Sequence, residues 1–217
     1  MKTWIIPTPV LLAACERGVP ENARIVVSGD SVFSWNRTGN AAVADQLAAQ
    51  LGEPVADVSF PFAQVAGRRG ALNIPSQLEG LHVDWVVLNG GANDLNANCG
   101  CSDCGPTLDR LISVDGTSGA IPALVADLRG RGSQVIWADY YTSPRFSGSS
   151  CEAPYQLLED RLARMANADT GVTLVDMDDV FRPDDLSLFA ADRTHPSEAG
   201  SARIAWLVAA ALARAEE

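Results

Sequence analysis

The stretch "IVVSGDSVFSWN", residues 25–36, decides how the rest of the chain is read. A β-branched apolar run stops at Ser28-Gly29-Asp30-Ser31, so a strand ends abruptly in a polar turn. Strands of near-continuous apolar character are those covered on both faces, as in the centre of a parallel sheet. Taking 24–28 as the first, similar runs recur at 55–60, 85–89, 134–139 and 172–177. Longer helical patterns separate them. Residues 40–52 open on an asparagine cap and close at Gly52. Residues 120–132 and 153–168 carry apolar side chains at i, i+3, i+4 and i+7. A last helix begins at "HPSEAG", residues 195–200, with Pro196 in its first turn. Such alternation predicts βαβ units and a doubly wound, three-layer α/β/α fold around a five-stranded parallel sheet. No repeat or linker interrupts the pattern, and 217 residues at 47% hydrophobic content suit one domain with a substantial core.

The formal net charge of −11 removes the basic footprint that nucleic-acid binding requires. The N-terminus departs from globular composition. "MKTWIIPTPVLLAAC" combines one lysine, a short apolar stretch and small residues before Cys15, the order of a secretory signal. Its Leu-Ala-Ala-Cys ending resembles a bacterial lipoprotein box. That resemblance implies removal of residues 1–14 and a lipid on Cys15, the first residue of a mature 15–217 domain on the periplasmic side of the cell envelope. Membrane association would then come only through the lipid, because no later segment approaches the roughly 20 apolar residues of a spanning helix. In an exported chain, Cys99, Cys101, Cys104 and Cys151 predict two disulfides, which clip the 99–104 loop to the 151 loop with the pairing left open. In a reducing compartment the same spacing would instead suit zinc.

Ligands of open parallel sheets bind beyond the carboxyl ends of the strands. The residues just past each predicted strand are therefore informative. After the first comes Gly29-Asp30-Ser31, after the third "NGGAND" (89–94), and after the fifth, past another loop, "DRTHP" (192–196). A serine hydroxyl needs a base to take its proton as it attacks. His195 is suited to accept and return that proton, and Asp192 to fix the ring tautomer. Asn93 offers a side-chain amide to a developing oxyanion, joined by the Ser31 N–H. Asp30 and Asp94 read as turn caps that orient their neighbours, and His82, just ahead of a strand, as structural. Taken singly each segment has a plain structural reading, but together at one sheet edge they predict a serine hydrolase that needs neither metal nor organic cofactor.

In these blocks the sequence resembles the SGNH, or GDSL-type, hydrolases. Gly29-Asp30-Ser31, Gly91-x-Asn93-Asp94 and Asp192-x-x-His195-Pro196 match three of the family's blocks and span nearly the whole mature domain. The resemblance implies a flavodoxin-like fold, with Ser31 as nucleophile, His195 as base, Asp192 as its partner and Asn93 as oxyanion donor. Phe33 stands where the Gly-x-Ser-x-Gly elbow of other α/β-hydrolases has glycine, which separates the chain from them. The second block departs: Phe62 occupies the place of the family's oxyanion glycine, with Gly67 as the alternative third donor. The expected reaction is hydrolysis of short-acyl esters, with small-molecule or carbohydrate esters as substrates. An acyltransferase on envelope carbohydrate, or an envelope binding protein that has lost activity, are the rival expectations. Phe33, Trp35 and Phe62 either crowd the acyl pocket or pack in the core.

Overall fold

The structure, a computed structural model, describes residues 19–20 and 22–216. Residues 1–18, with the lipoprotein-like ending at Cys15, lie outside the described residues. In chain order the elements are β1 (Ile25–Ser28), α1 (Ser31–Ser34), α2 (Val43–Leu51), β2 (Val55–Asp57), α3 (Ile74–Gln77), β3 (Trp85–Leu88), α4 (Ala92–Asn98), α5 (Gly105–Leu111), α6 (Ala120–Gly130), β4 (Gln134–Ala138), α7 (Glu152–Ala168), β5 (Val172–Val175) and α8 (Glu198–Ala215). The five strands form one sheet in the order β2-β1-β3-β4-β5, and every pair is parallel. This is the expected doubly wound α/β architecture, in the flavodoxin-like order. Helices α2 and α8 pack on each other and on the strands, while α5 packs with α6 and α7. The right-handed crossover rule sends α2 to one face and α6 and α7 to the other, because the chain winds from β1 outward in both directions. All four residues of β1 and of β3 are buried, which explains their unbroken apolar runs.

Several boundaries differ from the expectations, for local reasons. The second strand ends at Asp57, not 60, because the Asp57 Oδ1 turns back to accept from the Ser59 N–H (3.1 Å) and hydroxyl (2.6 Å). Asn40 does not cap α2. It takes a left-handed conformation closing the preceding 3-10 turn, and Asp45 instead accepts from the Ala42 N–H (3.1 Å). Gly52 ends α2 in the left-handed conformation, as its position predicts. Pro196 precedes α8 instead of opening it. Ser197 is the cap, its hydroxyl accepting from the Gly200 N–H at 3.1 Å.

The cysteines pair as Cys99–Cys104 and Cys101–Cys151. Only the second bridge joins the two loops as expected; the first closes within its own. Since Cys99 ends α4 and Cys151 precedes α7, the bridges fasten α4 to the start of α7.

Candidate functional site

The sheet order reverses between β1 and β3, and the crevice above that switch point is where a ligand fits in such sheets. Ser28 pairs with Leu88, so the chains leaving β1 and β3 emerge side by side. Asn89 then bridges them: its Oδ1 accepts from the Asp30 N–H (3.0 Å) and its Nδ2 donates to Asp30 Oδ1 (2.9 Å). The approach is so close that a Cβ on Gly29 would fall 1.8 Å from Asn89 Oδ1, which explains the glycine of Gly-Asp-Ser. Asp30 is 1% exposed and caps α1, accepting from the Val32 N–H at 2.9 Å. The Tyr140 hydroxyl, from beyond β4, donates to the other Asp30 oxygen at 2.6 Å. Ser31, the first residue of α1, is thus presented by a fully tethered neighbour.

The 192–195 loop meets it from the other side. His195 Nε2 lies 2.9 Å from Ser31 Oγ, and His195 Nδ1 lies 2.5 Å from Asp192 Oδ2. The remaining Asp192 oxygen accepts from the backbone N–H groups of Thr194 and His195, each at 3.0 Å. Burial pushes the Asp192 carboxyl up, but the His195 ring and those two N–H groups outweigh it and hold the group below its ordinary range. A carboxylate on Nδ1 keeps that nitrogen protonated, leaving Nε2 to accept the serine proton. The Tyr141 hydroxyl donates to the Thr194 carbonyl (2.9 Å), pinning the loop to the residues after β4.

Asn93 sits in the first turn of α4, a short helix that the sequence expectation did not contain. Its amide donates to the Ala63 carbonyl at 3.0 Å, which fixes its orientation and leaves one further N–H. With Ser31, Phe62 and His195, it lines a chamber of about 190 Å³. Phe62 adopts φ +64°, a left-handed conformation ordinarily kept for glycine, as its alignment with a family glycine predicts. Neither the Ser31 nor the Phe62 N–H has a hydrogen-bond partner among the described residues. Gly67 does not line the chamber, so of the two candidates for a third donor only Phe62 is placed there. Asp94, fully buried, accepts from the N–H groups of Val65 and Ala66, each at 2.9 Å. Burial raises its carboxyl to about 6 despite those bonds. It ties α4 to the loop that carries Phe62, a larger duty than turn capping.

The three aromatics weighed from the sequence divide. Phe33 is fully buried in the core and stays away from the chamber. Phe62 is 73% exposed at the chamber's rim. Trp35 stacks face to face on the His195 ring, with centroids 3.7 Å apart and planes 4° from parallel, a role the sequence reading missed. His82 is exposed ahead of β3, at the sheet end opposite the crevice. The Asn89 bridge and the Tyr140 bond were also missed, though Asn89 stands at the head of a segment already singled out.

A family model described as the GDSL-like lipase/acylhydrolase family matches residues 27–203. Among solved structures, the chain is similar to a candidate SGNH hydrolase from Slackia heliotrinireducens, with 25% identity over 88% of this chain and 98% of that one and a TM-score of 0.62. It is similar in fold to a GDSL-like lipase from Bacteroides thetaiotaomicron, at 17% identity over 88% of each chain and a TM-score of 0.62. An active-site mutant of a family two carbohydrate esterase from Clostridium thermocellum is also similar in fold, at 15% identity over 89% of this chain and 64% of that one, with a TM-score of 0.62. A search of curated proteins finds no significant match.

Proposed function

The chain belongs to the GDSL-like lipase/acylhydrolase family and is a carboxylic ester hydrolase, and from that premise we propose that it works through a Ser31-His195-Asp192 triad and an acyl-enzyme. The observation that carries the proposal is the unbroken chain of contacts from Ser31 Oγ to His195 Nε2 (2.9 Å) and from His195 Nδ1 to Asp192 (2.5 Å). Ser31 Oγ attacks the ester carbonyl while His195 takes its proton and then delivers it to the departing alcohol. Water, activated by the same imidazole, releases the acid. The second Asn93 N–H and the Ser31 and Phe62 backbone N–H groups hold the oxyanion, and removal of one such donor costs about 3 kcal/mol. Asp192 stabilises the imidazolium that forms between the two proton transfers.

The reading favours a short acyl group, next to which the chamber beside Ser31 offers about 190 Å³. The alcohol is a carbohydrate or another small molecule. The sequence "LLAAC" ending at Cys15 supports a lipid-anchored protein of the bacterial envelope, facing the periplasm. Hydrolysis of p-nitrophenyl acetate and butyrate, with Ser31→Ala as control, tests the mechanism. Turnover lost in the variant, and labelling of Ser31 by a fluorophosphonate, are expected. Equal rates for the two proteins with no label on Ser31 would sink it. Mass spectrometry of membrane fractions is expected to find a diacylated Cys15 at the N-terminus; an intact Met1 with unmodified Cys15 would end the anchor proposal.

A further inference from the structure

Two of the three oxyanion donors that the mechanism uses come from separate segments. Phe62 lies in the loop that follows β2, and Asn93 in the first turn of α4, which follows β3. Donors on separate segments serve one oxygen only while their spacing is fixed, since a displacement of about 1 Å can cost about 10²-fold in rate. Four hydrogen bonds among the described residues set that spacing. The Asn93 amide donates to the Ala63 carbonyl (3.0 Å), and the Gln64 amide donates to the Asn93 carbonyl (3.0 Å). The other two run from the N–H groups of Val65 and Ala66 to the two oxygens of Asp94, each at 2.9 Å. Only this second pair ends on a carboxylate, and bonds to a charged acceptor are roughly twice as strong as neutral ones.

The loop has further ties, but they lead elsewhere. The Gln64 N–H donates to the Leu72 carbonyl (3.0 Å), and the Ile74 N–H to the Gln64 carbonyl (2.9 Å). These hold the loop to residues 72–74 and leave its distance from α4 to the Asp94 side. Asp94 keeps that post against its own solvation. Burial raises its carboxyl to about 6, Asp30 beyond β1 adds to the rise, and the two N–H groups with Arg110 of α5 oppose it. Protonation would turn one carboxylate oxygen into a hydroxyl, so one of the two N–H groups would lose its charged acceptor. Only the ionised form is a full partner to both.

We propose that Asp94 is the positioning residue of the oxyanion site: its ionised carboxylate clamps the Phe62 loop to α4, and its protonation lets the Phe62 and Asn93 donors drift apart. The proposal rests on the Ser31-centred esterase mechanism and adds what builds its oxyanion site.

The test begins with Asp94→Asn, which keeps the size of the side chain but turns an amide donor toward one of the N–H groups. It therefore copies the protonated form at every pH. With p-nitrophenyl acetate its kcat is expected about 30-fold below wild type, with KM within twofold. In an Asn93→Ala background the same substitution should cost about fivefold or less, because one donor that it misplaces is already gone. A kcat equal to or above wild type overturns the proposal, as does a loss that multiplies in full with that of Asn93→Ala. The pH profile adds a second reading. Wild-type kcat should fall on acidification more steeply than the His195 ionisation alone allows, and Asp94→Asn should show a single ionisation; identical profiles overturn the proposal.

A further measurement needs neither turnover nor a change at Asp94. In nitrogen–proton correlation spectra of the His195→Gln protein, whose imidazole is gone, the Val65 and Ala66 amides should shift with a midpoint near pH 6. The Phe62 amide and the Asn93 side-chain amide should follow with the same midpoint. If those two stay still while Val65 and Ala66 titrate, Asp94 is structural only and the proposal falls. Turnover that Ser31→Ala abolishes and Asp94→Asn leaves untouched removes Asp94 from an intact mechanism. If all four resonances move together while neither ester turnover nor Ser31 labelling is found, the clamp stands and the mechanism falls.

Discussion

Two aspartates flank the Ser31–His195 pair, and they are held in opposite ways. Asp30 is sealed, at 1% exposure, and its partners come from far along the chain: Asn89, 59 residues away, and Tyr140, 110 residues away. Asp192 has a side chain 32% exposed, and its partners are the N–H groups and ring of a turn that ends three residues later. The serine is thus fixed by the same buried network that joins β1 to β3 and β4. The imidazole is fixed by a local turn and by the Trp35 ring lying on it. The contrast teaches that one side of the site is inseparable from the fold, whereas the other is an attachment to it. Substitutions on the first side should cost stability together with activity, and those on the second should cost activity alone.

The sharpest break in that comparison is Asp192→Asn. The amide can present N–H to Nδ1 and favour the wrong tautomer, so kcat should fall about 10³- to 10⁴-fold with KM little changed. Stability should move by less than about 1 kcal/mol, because the pair is near the surface. Urea denaturation beside p-nitrophenyl acetate kinetics reads both quantities. A loss of only a few-fold in kcat would remove Asp192 from the triad. Next is Asp30→Ala, which leaves Asn89 Nδ2, the Tyr140 hydroxyl and the Val32 N–H without their acceptor. About 3 kcal/mol of stability should go, seen as a lower urea midpoint at unchanged slope, with kcat falling at least tenfold as Ser31 loses its tether. An Asp30→Ala protein as stable as wild type would erase the distinction between the two sides.

Legibility in the sequence divides along the same line. Ser31, Asn93, Asp192 and His195 could be picked out because each comes after a strand, or opens onto the last helix, within a few residues of a recognisable boundary. Local chemistry writes itself into local sequence. Phe62 also left a signal, as a bulky residue in a glycine's place, and its left-handed backbone matches that place. The Asn89–Asp30–Tyr140 network did not, since its members meet only after the parallel strands have set their register. Nor did the stack of Trp35 on His195, 160 residues apart in the chain. Helix α4 was hidden because it opens directly after Gly90-Gly91 and carries Asn93, Asn96 and Asn98, residues of poor helix propensity. Asp139, the residue just after β4, read as the polar close of a strand. Burial pushes its carboxyl up to about 9, and nothing in its sequence neighbours announces that.

A smaller effect sharpens the base side. With the Trp35 ring flat against His195, replacement by leucine removes one wall that holds the imidazole in plane with Ser31 Oγ. Trp35→Leu should lower kcat about tenfold, the equivalent of roughly 1.4 kcal/mol, while KM stays within twofold. Trp35→Phe should recover part of the loss, because a second aromatic face can stack there. If KM rises and kcat holds, Trp35 binds substrate at the rim and does not position the base.

The smallest expected effect is a slope. The Asp192 carboxyl is held below its ordinary range in the folded protein, so folding favours its ionised form. Its contribution to stability is therefore present in full above the unfolded-state value near 4 and is lost as pH falls through the folded value. Exposure keeps that contribution under about 1 kcal/mol. Urea unfolding of wild type and Asp192→Asn from pH 7 to pH 2.5 should show a constant small difference down to about pH 4, closing below it. A difference that instead grew on acidification would mean that the turn favours the protonated acid, and a base side that relies on an ionised Asp192 would no longer be tenable.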